Sequence, residues 1–589
     1  MDKNDNYKMI LKLMLRLLPI QVLFVFVGMI NGIVSTYFAT NYVGIDAMSA
    51  VGLYGPINMF IQAVGTIFVG GSAIVCGKYI GQNNRKEVTS TFSVDMVITF
   101  CIAIFFTIVL LVLGFYDLTG IFTNDPNVRP LFNVYLIGQA IGILPFLLGN
   151  QFSVFLSLEN KQRLSVIAST VFIAVNIAFN YLFVQVMQLQ AFGLALAGSL
   201  GMLIFCLIEG SYFVSGKSYI RFSLSILKAS QAKEIFTKGL PGALTYIYMT
   251  VRGFAVNGLL TTYVGSVGIS AFAAANNLMS LFWAIPSGMQ AVSRLLLSIG
   301  IGEEDKKTLT NVMRVMFKVY ISMHMVVVAA IILLSKPLTN IFFHDPLEPV
   351  YMMTVWGLRI LPLCMPFAII TMHFTSYAQA SGKNVLVNIL SLFDGVLGVV
   401  ICSALLIGKV GMNAVYIANV LNGIIDIIII LLYAIIQNKH VPHNMEELMV
   451  IPKDFGVNED DVISFTVKTL DEVTSVAEKI QNFCKERGVD SKRSMIAGLA
   501  MEEMAGNVIT HGFTKDKKKH SIDIKAIHKN DDVILRIKDD CIAFDPNTRN
   551  SIDDQDDPTK NFGIRMIYKI ASEVNYQNIL GLNVLTLKI

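Results

Sequence analysis

Apolar runs long enough to cross a bilayer, roughly 20 residues, recur from Leu11 to Ile436 and then stop. They predict spans near 14–38, 48–79, 91–116, 130–156, 164–186, 191–214, 235–262, 268–300, 312–335, 350–378, 385–407 and 412–436, twelve in all. After His440 the charged residues crowd in and the periodicity shortens. "DVISFTVKT" alternates as a strand does, and "DEVTSVAEKIQNFCKERG" is an amphipathic helix running from an acidic cap to Gly488. The helix "SKRSMIAGLAMEEMAGNVITHG" follows, then the strands "HSIDIKAIHK" and "DDVILRIKDD", a polar loop, the helix "FGIRMIYKIASEV" and the closing hairpin "VNYQNILGLNVLTLKI". The expected fold is a polytopic α-helical membrane body over 1–440, a linker over 441–460, and an α+β domain over 461–589 with one helical layer on one mixed sheet.

Composition agrees with the membrane assignment. The 589 residues are 54% hydrophobic, with a mean hydropathy of +0.61, too apolar for an ordinary soluble enzyme. The net charge of +4 is small and dispersed, which argues against a nucleic-acid partner. Basic residues gather in alternate loops (Lys3/Lys8/Lys12, Lys78/Arg85/Lys86, Lys161/Arg163, Lys217 to Lys238, Lys306/Lys307, Lys383). That bias predicts a multi-pass plasma-membrane protein whose N-terminus and C-terminal domain are both cytoplasmic, with the first apolar run an uncleaved span. The seven cysteines show no CxxC spacing, so neither a disulfide framework nor a zinc site is expected.

The body repeats. "TNYVGIDAMSAV" (Thr40 to Val51) matches "TTYVGSVGISAF" (Thr261 to Phe272), with Gly44 against Gly265, and the same offset pairs Ser72 with Ser293, Gly81 with Gly302 and Lys86 with Lys307. "FTNDP" (Phe122 to Pro126) answers "FFHDP" (Phe342 to Pro346). Two six-span halves, about 10–225 and 226–440, with the same sidedness are parallel repeats. Transporters built this way hold substrate between the halves and alternate access by rocking.

The "YVG…SA" repeat, with "GQNNRKE" (Gly81 to Glu87) and "GLALAGSLG" (Gly193 to Gly201), resembles the multidrug and toxic compound extrusion (MATE) family over roughly residues 10–440. The resemblance implies a V-shaped pair of six-helix bundles that exports small organic, often cationic, compounds in exchange for Na+ or H+. The chain departs from that family at its coupling carboxylates: Ser35 stands where many relatives carry an aspartate on the first span, and Asn180, near Asn176, stands at an acidic position of the fifth span. Among the ionisable residues in spans, Asp394 and Asp426 lie deepest and Arg252 sits in the seventh span. A lone buried charge is costly, so each is a candidate cavity residue by default. The alternative is that such groups form structural pairs near the span ends.

In the C-terminal domain, Glu503, Asn507 and His511 recur every four residues and so share one helix face. An acid, an amide and an imidazole on one face suit a magnesium nucleotide, the amide oxygen taking one metal position and the acid polarising a nucleophile. A solvated face, with His511 favoured by the helix dipole, is the competing reading. Two later stretches bear on the choice: "IKDDCIAFDPN" (Ile537 to Asn547) and "NFGIRMIYKIASEVNYQN", which opens a helix at Gly563. Together with the "NxxxHG" helix they resemble the ATP-binding fold shared by gyrase, Hsp90, histidine kinases and MutL, and within it the anti-sigma-factor serine kinases. The resemblance makes Glu503 the general base, Asn507 the Mg2+ ligand, Asp539 the adenine acceptor, and Gly563 part of the phosphate turn. It also places His511 and Phe544 at the ATP site and makes Ser551 to Lys560 the lid. Cys541, Ala543 and Asn561 replace glycines of the family's turns.

The expectation is a MATE-like exporter regulated by, or signalling through, a cytoplasmic ATP-binding domain resembling a serine kinase. The alternatives are a membrane-tethered sensor whose tail phosphorylates or sequesters a regulatory protein partner, and a fusion whose tail binds nucleotide without turnover. No Walker A sequence is present, so ATP is not expected to power transport directly.

Overall fold

A computed structural model describes residues 5–38, 42–43, 45–122, 126–513, 520–529, 531–542, 562–579 and 581–589. The first half comprises α1 (Asp5–Phe38), α2 (Ile45–Gly81), α3 (Arg85–Phe115), α4 (Val128–Leu158), α5 (Gln162–Val186) and α6 (Gln190–Val214). The second comprises α7 (Ala229–Tyr263), α8 (Ser266–Phe282), α9 (Ala284–Gly302), α10 (Lys306–Leu333), α11 (Pro349–Ser381), α12 (Asn384–Val410) and α13 (Asn413–Asn438).

Among the described residues, eleven helices are long and apolar enough to cross a membrane. The expected seventh span, α7, is a 35-residue helix whose Lys233, Glu234, Lys238 and Arg252 leave it less apolar than the others. The expected eighth span is divided at Trp283 into α8 and α9, with Pro286 just inside the second piece, where a missing N–H is tolerated.

The apolar cores show how the halves meet. One cluster draws on both of them: Met14 and Leu17 of α1, Ile80 of α2 and Phe92 of α3 pack with Leu296 of α9, Met313 of α10, Phe374 of α11 and Ile430 of α13. Farther along the helices the cores separate. Tyr54, Phe132 and Leu136 pack within the first half, and Leu260, Leu358 and Tyr416 within the second. The halves are therefore joined at one end and parted at the other, and the joined end carries the C-terminal domain, whose Val584 belongs to the shared cluster.

The C-terminal domain contains β1 (Val462–Val467), α14 (Leu470–Glu486), α15 (Ser491–Asn507), β2 (Ile522–Lys529), β3 (Asp532–Asp539), α16 (Phe562–Ile570), β4 (Glu573–Ile579) and β5 (Leu582–Lys588). The sheet order is β1-β2-β3-β5-β4. Every pairing is antiparallel, which corrects the expected mixed sheet. Two successive helices between β1 and β2 return the chain to the end from which β2 runs backwards, whereas the single helix between β3 and β4 leaves those strands parallel and the β4–β5 hairpin then sets β5 antiparallel to both. Alternation along β3 buries Val533, Leu535, Ile537 and Asp539 under the helices and turns Arg536 and Lys538 to the opposite face. α14 begins with a capping box between Thr469 and Glu472, and Asp490 caps α15 by accepting from Lys492 N and Arg493 N, each at 3.0 Å.

Candidate functional site

Two regions collect polar side chains in buried surroundings, the membrane body, in both of its halves, and the C-terminal domain. In the second half, the wide turn Phe393–Leu397 of α12 brings Asp394 to α13. Asn422 Nδ2 donates to Asp394 Oδ1 at 3.1 Å and to Asp426 Oδ2 at 3.4 Å. Arg252 Nη1 donates to the Asp394 carbonyl at 3.1 Å. Asp426 is 1% exposed, and its Oδ1, like Asn422 Oδ1, meets no hydrogen-bond partner among the described residues. Arg252, Asp394 and Asp426 are thus brought together, and Asn422, which sequence reasoning passed over, is the bridge. A buried carboxylate oxygen without a donor is costly, and a small cation or a proton satisfies it directly.

A cavity of about 800 Å³ lies mainly in the first half, lined by Tyr54, Tyr135, Asn150, Gln151 and Ser199 among others, with Tyr246 of α7 reaching it from the second half. Behind it lies Asp95, fully buried, which accepts from Ser72 Oγ at 2.6 Å and, with the Gln151 amide turned to donate, from that side chain at 3.1 Å. Asn176 and Asn180 are buried one turn apart on α5, Asn180 Nδ2 donating to Asn176 Oδ1 at 2.7 Å. Ser35 lies within α1, with its side chain outside the described residues. His373, another ionisable residue of the spans, is satisfied structurally: its Nδ1 donates to the Ile369 carbonyl at 2.6 Å and its Nε2 meets Ser293 at 2.8 Å.

The second region is in the C-terminal domain. α15 buries Ala497, Met501, Met504 and Ala505 against the sheet, leaving Glu503 and Asn507 half-buried. His511 lies exposed in the widened turn Val508–Gly512 that extends the helix. That turn reaches the segment just after β3, since a Cβ on Gly512 would stand 3.1 Å from Cys541 Sγ. Asp539, 4% exposed, accepts from Asn583 Nδ2 at 2.7 Å and from Cys541 N at 2.9 Å. Burial pushes its carboxyl above the usual range, and these donors pull against that. Asn583 is held in turn by Tyr576 Oη and Asn578 Nδ2, both at 2.7 Å. The neighbouring Asp540 accepts from His520 at 2.9 Å and pairs with Lys12 of α1. Burial alone would raise its carboxyl, but Lys12 and His520 outweigh burial and hold it below the usual range.

Cys541 does not occupy the left-handed backbone region, so this replacement of a glycine is accommodated without strain. Gly563 opens α16, as the sequence predicts for a helix N-terminus. Ala543, Phe544, Asn561, the segment Ser551 to Lys560 and most of the basic run Thr514 to His520 lie outside the described residues. The donor set that is described fits a nucleotide: a buried carboxylate suits an exocyclic amine, and an amide and an acid share the open face of α15.

Comparison with known proteins follows the same division. Residues 10–182 and 241–404 match the MatE family, and residues 466–589 match the histidine kinase-like ATPase domain. The multidrug export protein MepA of Staphylococcus saprophyticus is 24% identical over 379 residues, 63% of this chain and 81% of its own. A probable multidrug resistance protein NorM of Photorhabdus laumondii is 20% identical over 401 residues, 66% of this chain and 83% of its own. The fold is similar to an outward-facing multidrug resistance MATE family transporter, with a TM-score of 0.66 at 19% identity, over 71% of this chain and 94% of that one. It is also similar to a MOP superfamily transporter from Pyrococcus furiosus, with a TM-score of 0.64 at 19% identity and the same coverage.

Proposed function

The chain belongs to the MatE family, and from that premise we propose that it exports small organic compounds across the plasma membrane in exchange for Na+ or H+, under control of a cytoplasmic Mg-ATP-binding domain. The observation that carries the coupling is the Asp394–Asn422–Asp426 cluster, a buried carboxyl (Asp426) and a half-buried one (Asp394) bridged by one amide, with Asp426 Oδ1 left without a donor. A carboxylate in a dry site cannot keep its charge uncompensated, so arrival and departure of a cation alternate with conformation. The second half thereby takes over the role that Ser35 and Asn180 have given up in the first. Arg252, bonded beside Asp394, supplies a fixed positive charge that limits the pair to one exchangeable cation. The cavity of the first half, walled by tyrosines and amides, suits flat, weakly basic organic molecules.

In the C-terminal domain Asp539 receives the adenine amine, Asn507 and Gly563 take the metal and phosphate end, and Glu503 orients a nucleophile. A bound magnesium nucleotide would supply a labile phosphoanhydride and several negative charges there. The bias of basic residues towards alternate loops supports a cytoplasmic position for this domain, where ATP is available.

The test is efflux of a fluorescent organic cation from proteoliposomes under an imposed Na+ or H+ gradient. Wild type is expected to export only with a gradient, and Asp394→Asn or Asp426→Asn to lower the rate at least tenfold. Export that persists at full rate in both variants refutes the coupling site.

A further inference from the structure

The face of the sheet turned away from the helices is a docking surface. Three consecutive acids, Glu303, Glu304 and Asp305, form the turn between α9 and α10. Three lysines from neighbouring strands meet them: Lys538 stands 2.7 Å from Glu303, Lys529 2.7 Å from Glu304 and Lys525 2.7 Å from Asp305. Arg536 lies 3.8 Å from Glu303, whose side chain is only 3% exposed. These contacts hold the second half.

The same domain also holds the first half. Asn575 Nδ2 donates to the Asn83 carbonyl, in the turn after α2, at 3.0 Å. Asp540 pairs with Lys12 of α1. Gly581, at φ +79, lies so close to Arg16 and Asn160 that a Cβ would fall 2.1 Å from the guanidinium. Between these anchors Val584 and Leu582 enter the core that both halves share.

A hydrogen-bonded five-stranded sheet does not stretch, so a domain anchored to both halves fixes the distance between them at that end. The end is closed: a Cβ on Gly302 of α9 would fall 1.9 Å from the Lys78 carbonyl of α2, and one on Gly81 would fall 2.1 Å from the Ile299 carbonyl. We propose that the nucleotide-binding domain is a clasp that locks the cytoplasmic end of the exporter shut, and that it must leave at least one half before substrate can load. This rests on the exporter reading above. Control passes through the turn at the end of β3, where adjacent residues serve the two sides. Asp539 belongs to the network facing the nucleotide site, and Asp540 holds α1. A ligand that rearranges Asp539 moves the residue that grips Lys12.

The experiment uses the full chain in proteoliposomes. A Glu304→Cys/Lys529→Cys pair is joined by a short bifunctional methanethiosulfonate, with the single-cysteine variants as controls. In parallel, a thiol introduced by Ser298→Cys, in the α2–α9 seam, reports opening by its labelling rate over that of the unsubstituted chain. Cross-linking is expected to slow export at least tenfold and protect the seam thiol, and reductant to reverse both. Reversing the turn (Glu303→Lys, Glu304→Lys, Asp305→Lys) is expected to raise seam labelling at least tenfold, and reversing Lys525, Lys529 and Lys538 to Glu in the same chain to restore protection, which excludes simple misfolding. Export at the uncross-linked rate with the domain tethered overturns the clasp, as does unchanged labelling in the reversed chain. If labelling responds as stated while no gradient drives export in any arm, the clasp stands and the exporter reading fails.

Discussion

Gly398→Ala is a small change with a calculable consequence at the proposed coupling site. A Cβ there would stand 1.7 Å from Asn422 Oδ1, where ordinary contact begins at 3.4 Å. The amide must roughly double that distance, and with it goes the Nδ2 that donates to Asp394 at 3.1 Å and Asp426 at 3.4 Å. A hydrogen bond to a charged group is worth about 1.5–3 kcal/mol. At about 1.4 kcal/mol per factor of ten, losing the shorter bond alone lowers cation-coupled export by roughly 10- to 100-fold. Replacing a helical glycine by alanine also gains up to about 1 kcal/mol of helix propensity, so thermal unfolding of the purified protein should change little. Gly408→Ala, on the same helix with open space at its Cβ position, gains the same propensity without the clash and should export normally. The assay is initial efflux rate against gradient size for the three proteins, with unfolding midpoints measured alongside. Full-rate, gradient-dependent export by Gly398→Ala refutes the argument, as does an equal loss in both variants.

Three further outcomes follow from the C-terminal domain. Asn507→Ala should weaken binding of Mg-ATP at least tenfold while affecting metal-free ATP much less, and Glu503→Gln should leave binding intact but cut any turnover roughly 100-fold; equal titration curves for wild type and Asn507→Ala in calorimetry would remove Asn507 from the metal position. Asp523, on the docked face of β2, is pushed up to about 6 chiefly by burial, with Asp305 and Glu303 adding to the rise and Lys538 and Lys525 opposing it. A carboxyl whose folded value is raised stabilises most when protonated, so this contribution is complete below the ordinary carboxylate value and is lost as pH climbs through about 6, an effect of at most about 3 kcal/mol. The unfolding midpoint of Asp523→Asn should therefore fall less than that of wild type between pH 4.5 and 7.5, and parallel curves would show that Asp523 does not titrate in this range.

The parts legible in the sequence are those in which a side chain's neighbours lie within a few turns of it or within one repeat. Span lengths, the doubled "YVG" pattern and the spacing of Glu503 and Asn507 are of that kind, whereas the widened turn Val508–Gly512 takes His511 out of their four-residue register. So is Asp539, placed under the helices by the alternation that also buries Ile537. What the sequence concealed depends on partners far along the chain. Asn422 looks like an ordinary polar residue of the last span until α12 brings Asp394 beside it, and Asn583 reads as a hairpin residue until Asp539 is placed across from it. The sheet was expected to be mixed because pairing is set by how many times the connecting helices reverse the chain, which periodicity does not encode.

The docking surface is the most instructive case. Alternating apolar and basic residues along β2 and β3 say that one face is covered and that the other is polar, and a lysine satisfies that pattern equally well in water or against an acid. Only the meeting of Lys525, Lys529 and Lys538 with Glu303, Glu304 and Asp305, more than 200 residues earlier, separates the two. The burial of Glu303 then decides the energetics. An exposed lysine pair contributes little, but removing one partner of an ion pair that is nearly out of solvent costs about 3–5 kcal/mol. The grip of the domain on the second half therefore resides mainly in the two buried pairs, Glu303 with Lys538 and Arg536 and Asp305 with Lys525, and the exposed Glu304–Lys529 pair serves to align it.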